Sequence, residues 1–283
     1  MKKNKLLSLL LVAGLTVSML VGCGSTEAAV EDMGELLMAT TTSTADTGLL
    51  DYLVPIFKED TGYDLKYTAV GTGEAISMGE DGSVDVILVH AKASEEEFVA
   101  AGYGVERFPV MYNDFVVVGP SNPVDTTDDI TALYTAIAEG ELNFVNRGDD
   151  SGTDKMDVTL WETAGIDPAT NPNYVESGAG MGDSLTMANE LLAYCLTDRG
   201  TWLKMSTDAA SYDIEIVCEA DTSLLNQYGV IAVSADMYPE TNIDGANAFI
   251  EWICSEEIQA VIAEFGVDAY GQSLFFPNAG TDN

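Results

Sequence analysis

Apolar runs of strand length that stop at glycine- or hydroxyl-rich turns, each followed by residues of helical period, recur four times along the chain. Leu36-Leu37-Met38-Ala39 reads as a buried strand and opens into five successive hydroxyls, Thr40-Thr41-Thr42-Ser43-Thr44. Leu49, Leu50, Leu53, Val54 and Phe57 then keep a helical spacing that ends near Thr61-Gly62. Residues 65–70 alternate as a second strand, stop at Gly71-Thr72-Gly73 and give way to a helix start over 74–78. Phe144-Val145 leads through Asn146-Arg147-Gly148-Asp149-Asp150-Ser151-Gly152-Thr153-Asp154 into a helix predicted over 155–164. The fourth instance is Glu176-Ser177-Gly178-Ala179-Gly180-Met181-Gly182-Asp183, leading into a helix predicted over 184–196.

The remaining pattern supplies a scaffold. Residues 84–90 read as a third strand, 94–101 as an acidic helix, 127–139 as a helix, 168–172 as a turn and 214–218 as a short strand. The long apolar run from Val110 to a stop at Gly119-Pro120 predicts a strand crossing between two lobes, and residues 229–233 predict the return. Two amphipathic helices fall within 246–265, with Trp252 and Phe265 assigned to the core.

Composition changes this picture at the N-terminus and in its electrostatics. Lys2, Lys3 and Lys5 precede an apolar core over 6–20, followed by Leu20-Val21-Gly22-Cys23, which has the form of an export signal (1–22) with a lipobox, Cys23 being the lipidated residue. A single transmembrane anchor is the weaker alternative, because the run falls short of the roughly 20 residues that span a bilayer. Residues 23–34 read as a polar tether.

Removing the three leader lysines from 11 basic residues leaves eight against 47 acidic ones, a mature charge of −39. That charge repels nucleic acid and anionic membrane surfaces. Cys195, Cys218 and Cys254 make neither a disulfide framework nor a metal cluster, and His90, the one histidine, cannot build a metal site and reads as structural.

The turn at Arg147 carries the chemistry. Unpaired backbone N–H groups at a helix start, hydroxyls at Ser151 and Thr153, and a planar guanidinium form an anion-binding pattern. Two other readings stand beside it: an ordinary N-cap with Arg147 paired to Asp149 or Asp150, and an Arg-Gly-Asp adhesion tripeptide. Four helix N-termini meeting at one cleft could surround a dianion with neutral donors despite the bulk charge. No nucleophile elbow, cysteine–histidine pair, metal cluster or nucleotide fingerprint argues for an enzyme, so no catalytic residue, metal or cofactor is assigned.

These segments taken together resemble the TupA-like tungstate-binding solute receptors of ABC importers. The likeness runs over about residues 36–280 and rests on Ala39-Thr40-Thr41-Thr42-Ser43-Thr44, Ala69-Val70-Gly71-Thr72-Gly73, Val110-Met111-Tyr112-Asn113-Asp114-Phe115, Arg147-Gly148-Asp149-Asp150-Ser151-Gly152-Thr153, Gly180-Met181-Gly182 and Leu196-Thr197-Asp198-Arg199-Gly200. The resemblance implies an α/β, two-lobed type II periplasmic-binding-protein fold, each lobe a mixed sheet flanked by helices, with two interlobe crossings. Lobe I is expected over 35–113 and 230–283, and lobe II over 114–229.

It further implies that Thr41, Thr42, Ser43 and Thr72 from one lobe, with Arg147, Ser151, Thr153 and Gly180 from the other, hold tungstate or molybdate. The expected partner is an ABC permease and the expected state an extracytoplasmic, membrane-anchored monomer. Asp154 departs from the family's usual histidine, Asn146 from its serine and Ala179 from a larger polar residue. A phosphate or sulfate receptor stays open as the rival, since Ser-Gly-Thr at a helix start suits any such oxyanion, and Asp154 keeps it open because phosphate can still donate a proton to an acid. A surface adhesin or secreted hydrolase is the rival from another class.

Overall fold

The computed structural model describes residues 31–208 and 212–281. The leader, Cys23 and all but the last few residues of the tether lie outside the described residues. Lobe I begins with strand β1 (Gly34–Thr41), helices α1 (Thr42–Asp46) and α2 (Leu49–Thr61), β2 (Tyr63–Val70), α3 (Thr72–Glu80), β3 (Val86–Val89) and α4 (Lys92–Ala100). β1 pairs in parallel with both β2 and β3, as strand–helix–strand crossovers require. Alternation along β1 and β3 sends Leu36, Met38, Val86 and Leu88 to a core shared with Phe57, Phe249 and Trp252. Ala39, Ile87 and Val89 face a second core with Ile76 and Phe98, so both faces of this sheet are covered.

Strand β4 (Gly104–Gly119) connects the lobes. It pairs antiparallel with the return strand β9 (Leu225–Val233) through Asp114, and from Phe115 onward with β7 (Cys195–Asp198). Its last residues also pair with β8 (Glu215–Cys218). Lobe II adds α5 (Ile130–Glu139), β5 (Phe144–Asn146), α6 (Gly152–Thr163), β6 (Tyr174–Glu176), α7 (Met181–Leu191) and α8 (Arg199–Asp208). β5 and β6 pair in parallel, and Val145 N–H donates to the Tyr194 carbonyl to tie them toward β7. Phe115 and Val117 pack with Tyr134, Phe144 and Trp161, while Val116 and Val118 turn to Leu185 and Trp202. Lobe I is completed by α9 (Ile243–Ile253), α10 (Glu256–Glu264), α11 (Val267–Tyr270) and β10 (Phe276–Pro277), the last beside β4.

Two expectations need correction. The return strand pairs with β4 from Leu225, so residues 225–229 lie on the lobe I sheet and not in lobe II. The helix predicted over 184–196 ends at Leu191, because Leu192 takes a left-handed conformation (φ 47°) and Cys195–Asp198 is claimed by the β4 ladder. Cys195, Cys218 and Cys254 are free thiols.

Candidate functional site

The hydroxyls after β1 divide by direction. Thr40 faces inward and donates to the Leu88 carbonyl, and Thr44 is fully buried against Thr41 at 2.6 Å. Thr41 Oγ1 caps α1 by accepting from the Thr44 N–H, and lies 3.1 Å from Ser43 Oγ and 3.1 Å from His90 Nε2. Ser43 Oγ is 3.2 Å from the same nitrogen. Thr42 is exposed on the first turn of α1. His90 thus sits where the hydroxyl loop meets the crossing strands, with its ring 4.8 Å from that of Tyr228. Burial pushes its imidazolium down to about 4, against a hydrogen bond with Asn226 that acts the other way. It is neutral at physiological pH and adds no charge to the cleft.

From lobe II the N-terminus of α6 comes across the cleft. Ser151 is its cap and accepts from the Asp154 N–H, and Thr153 is almost fully buried at the interlobe surface. A methyl group built on Gly152 would meet His90 Cε1 at 3.0 Å and Thr72 Oγ1 at 3.7 Å, so helix and opposite lobe are in direct contact. Gly152→Ala is therefore expected to obstruct closure, at a cost of about 1 kcal/mol or roughly fivefold in ligand affinity. Calorimetric titration beside thermal unfolding of the free protein checks this. An unchanged affinity would mean that the two surfaces do not meet when ligand binds.

Arg147 is only partly available. One terminal nitrogen is paired to Asp149 Oδ2 at 2.5 Å, as one of the two plain readings of this turn expected, while its Nε is buried without a partner. Asp154 turns back onto its own loop: its two oxygens accept from the N–H groups of Gly148 (3.2 Å) and Asp150 (2.9 Å). Those bonds hold a tight turn in which Gly148 and Asp150 both have left-handed backbone, at φ 63° and 58°. The carboxylate that stands where the family has histidine is thus occupied in shaping the loop. Asn146 has a comparable structural use, donating to the buried Asp157 at 2.6 Å.

Ser43 and Thr153 line one narrow interlobe cleft together with His90, Asn113, Asp198, Asn226 and Tyr228. Thr72 borders an adjoining cavity that shares His90 and Asn226. The Gly180 turn is set apart: its neighbours Met181 and Gly182 face a different interlobe cavity with Thr47 and Gly48. Asn113 and Asn226 are register partners on the two crossing strands, joined by an amide hydrogen bond of 2.8 Å. Asp198, raised by burial, has its oxygens bound by the Thr201 N–H (2.8 Å) and hydroxyl (2.6 Å) at the start of α8. These polar residues on strands gave no turn signal. Sequence reasoning missed them; the available signal was an asparagine in each of the two crossing strands, Asn113 and Asn226.

Residues 25–257 match the family model described as a PBP superfamily domain. The chain is 49% identical over 287 residues to the tungstate-binding protein TupA of Peptoclostridium acidaminophilum, covering 98% of this chain and 99% of that relative. The solved structure of TupA from Desulfovibrio alaskensis G20 is similar with a TM-score of 0.80 and 43% identity, over 87% of this chain and 99% of that one. A structure described as the tungstate ABC transporter from Geobacter sulfurreducens gives 0.71 and 41%, over 82% and 98%.

Proposed function

The chain belongs to the PBP superfamily and, within it, to the TupA tungstate-binding proteins, and from that premise we propose that it is a solute receptor that closes on tungstate and hands it to an ABC permease. It binds its anion and does no chemistry on it, as its relatives are binding proteins. The observation that carries this reading is the approach of the α6 N-terminus to the opposite lobe, Gly152 lying against His90 and Thr72 and Thr153 lining the cleft beside His90. Tungstate carries no proton at neutral pH and accepts hydrogen bonds only. A cleft of hydroxyls and helix-start N–H groups answers it with donors, and Arg147 adds a nearby positive charge. We assign its grip to Thr41, Thr42, Ser43 and Thr72 of lobe I with Arg147, Ser151 and Thr153 of lobe II, and leave out Gly180, whose turn faces a different cavity. Molybdate, of equal charge and shape, is the second ligand.

The phosphate rival is weakened, since Asp154 turns both oxygens onto N–H groups of its own loop. The export signal and the lipidation of Cys23 belong to the same proposal: an extracytoplasmic monomer tethered to the membrane face beside its permease. Tungstate is expected to raise the melting temperature with the logarithm of its concentration, by about 2.7 kcal/mol of stability at a 100-fold excess over Kd. Thermal unfolding and calorimetry with tungstate, molybdate, sulfate and phosphate check it. No response to any of the four would overturn the receptor reading.

A further inference from the structure

We propose that the cavity beside the cleft, about 340 Å³ in volume, is the anion's way in: a vestibule that concentrates small oxyanions at the mouth of the site through Lys92 and Lys155, one from each lobe. The proposal rests on the oxyanion-receptor reading and adds a route to it. The two lysines are among only eight basic residues outside the leader, in a chain carrying 47 acidic ones, yet both line this one cavity. No carboxylate lines it. Four other cavities among the described residues each carry at least one: Asp198 in the cleft itself, Glu264 and Asp268, Asp46, and Asp236.

Its position is also right for a passage. The vestibule shares His90, Phe115 and Asn226 with the narrow cleft and has Thr72 and Gly152 on its wall, so an anion leaving it meets the hydroxyl loop and the α6 N-terminus next. Lys155 is loosely held by Asp150 at 3.4 Å, both side chains being well exposed, a pairing too weak in water to cancel its field. A dianion approaching a surface of net charge −39 meets repulsion over a Debye length, so a local pair of cations at the mouth acts chiefly on the rate of arrival.

The test is stopped-flow mixing of the full chain with tungstate, followed by intrinsic fluorescence. Lys92→Gln/Lys155→Gln is compared with Lys58→Gln/Lys66→Gln, which removes equal charge from exposed lysines paired with Asp32 and Asp64. The vestibule pair is expected to slow association about three- to tenfold at low ionic strength, with the gap closing in high salt and the dissociation rate little changed. The control pair is expected to stay close to the parent. An equal slowing in the control, a loss confined to dissociation, or no change would each overturn the vestibule. A parent chain that binds no tungstate would instead overturn the receptor reading on which the vestibule rests.

Discussion

Replacing Arg199 by alanine is expected to lower stability by about 3 kcal/mol, the scale for removing one partner of a largely buried ion pair, and to weaken oxyanion binding with it. Arg199 opens α8 in lobe II and grips Asp114 with two nitrogens, Nε at 2.9 and 3.1 Å and Nη2 at 2.5 Å. Nη2 also reaches Glu219 at 2.8 Å. Asp114 is the last residue of β4 paired with the return strand, opposite Leu225, and Phe115 already pairs with Asp198 of lobe II. The ion pair therefore lies across the hinge, and its loss leaves a poorly solvated carboxylate where the lobes pivot.

Arg199→Lys is expected to fall between parent and alanine variant, because an ammonium cannot span both carboxylate oxygens. Asp114→Ala/Arg199→Ala should recover part of the loss, since the uncompensated charge goes with its partner. Urea unfolding and calorimetry of the three variants measure this. An alanine variant as stable as the parent, or a double variant whose losses simply add, would show that the pair does not brace the hinge.

Arg199 also shows where reading the chain in one dimension stops. As a sequence feature it lay outside any glycine-rich turn, and its partner is 85 residues away, so nothing local announced the contact. Turns were legible because glycine and threonine punctuate them: the caps at Thr41, Gly71, Ser151 and Gly180 all begin helices where strand runs stop. The direction of each hydroxyl was not legible, since Thr40 and Thr41 are adjacent and only the strand's alternation and the start of α1 send one inward and one to His90. His90 looked structural because a lone histidine makes no metal site, yet a neutral imidazole between two hydroxyls needs no metal to matter. Cys195 and Leu196, read as the end of a helix, are strand instead, because pairing with β4, a non-local term, overrides the local pattern.

The largest pH effect is expected at Asp157, beneath the Arg147 turn. Its carboxyl is almost fully buried, with the Tyr134 hydroxyl donating at 2.5 Å and the Asn146 amide at 2.6 Å. Burial pushes its pKa up to about 7, against both hydrogen bonds. Because the folded value lies above the ordinary 3.8, the native state holds a proton that the unfolded chain has released. The resulting stability is complete below pH 3.8 and is lost as pH rises through 7, roughly 4 kcal/mol at 1.36 kcal/mol per unit.

His90 works in the opposite sense. Its folded value near 4 lies below the ordinary 6.5, so its contribution, about 3 kcal/mol, is present above pH 6.5 and lost as pH falls through 4. The two terms oppose one another between pH 4 and 6.5. Asp157→Asn removes one of them while keeping the shape: its carbonyl can accept from Asn146 and its amide can face the Tyr134 oxygen. Relative to the parent it is expected to gain about 4 kcal/mol between pH 4 and 8, and its own stability should climb from pH 4 to 6.5 as the His90 contribution is uncovered. Urea unfolding of both proteins across that range decides the matter. Parallel stability curves would mean that Asp157 is ionised in the folded protein throughout, and that the buried cluster with Tyr134 and Asn146 carries a charge and not a proton.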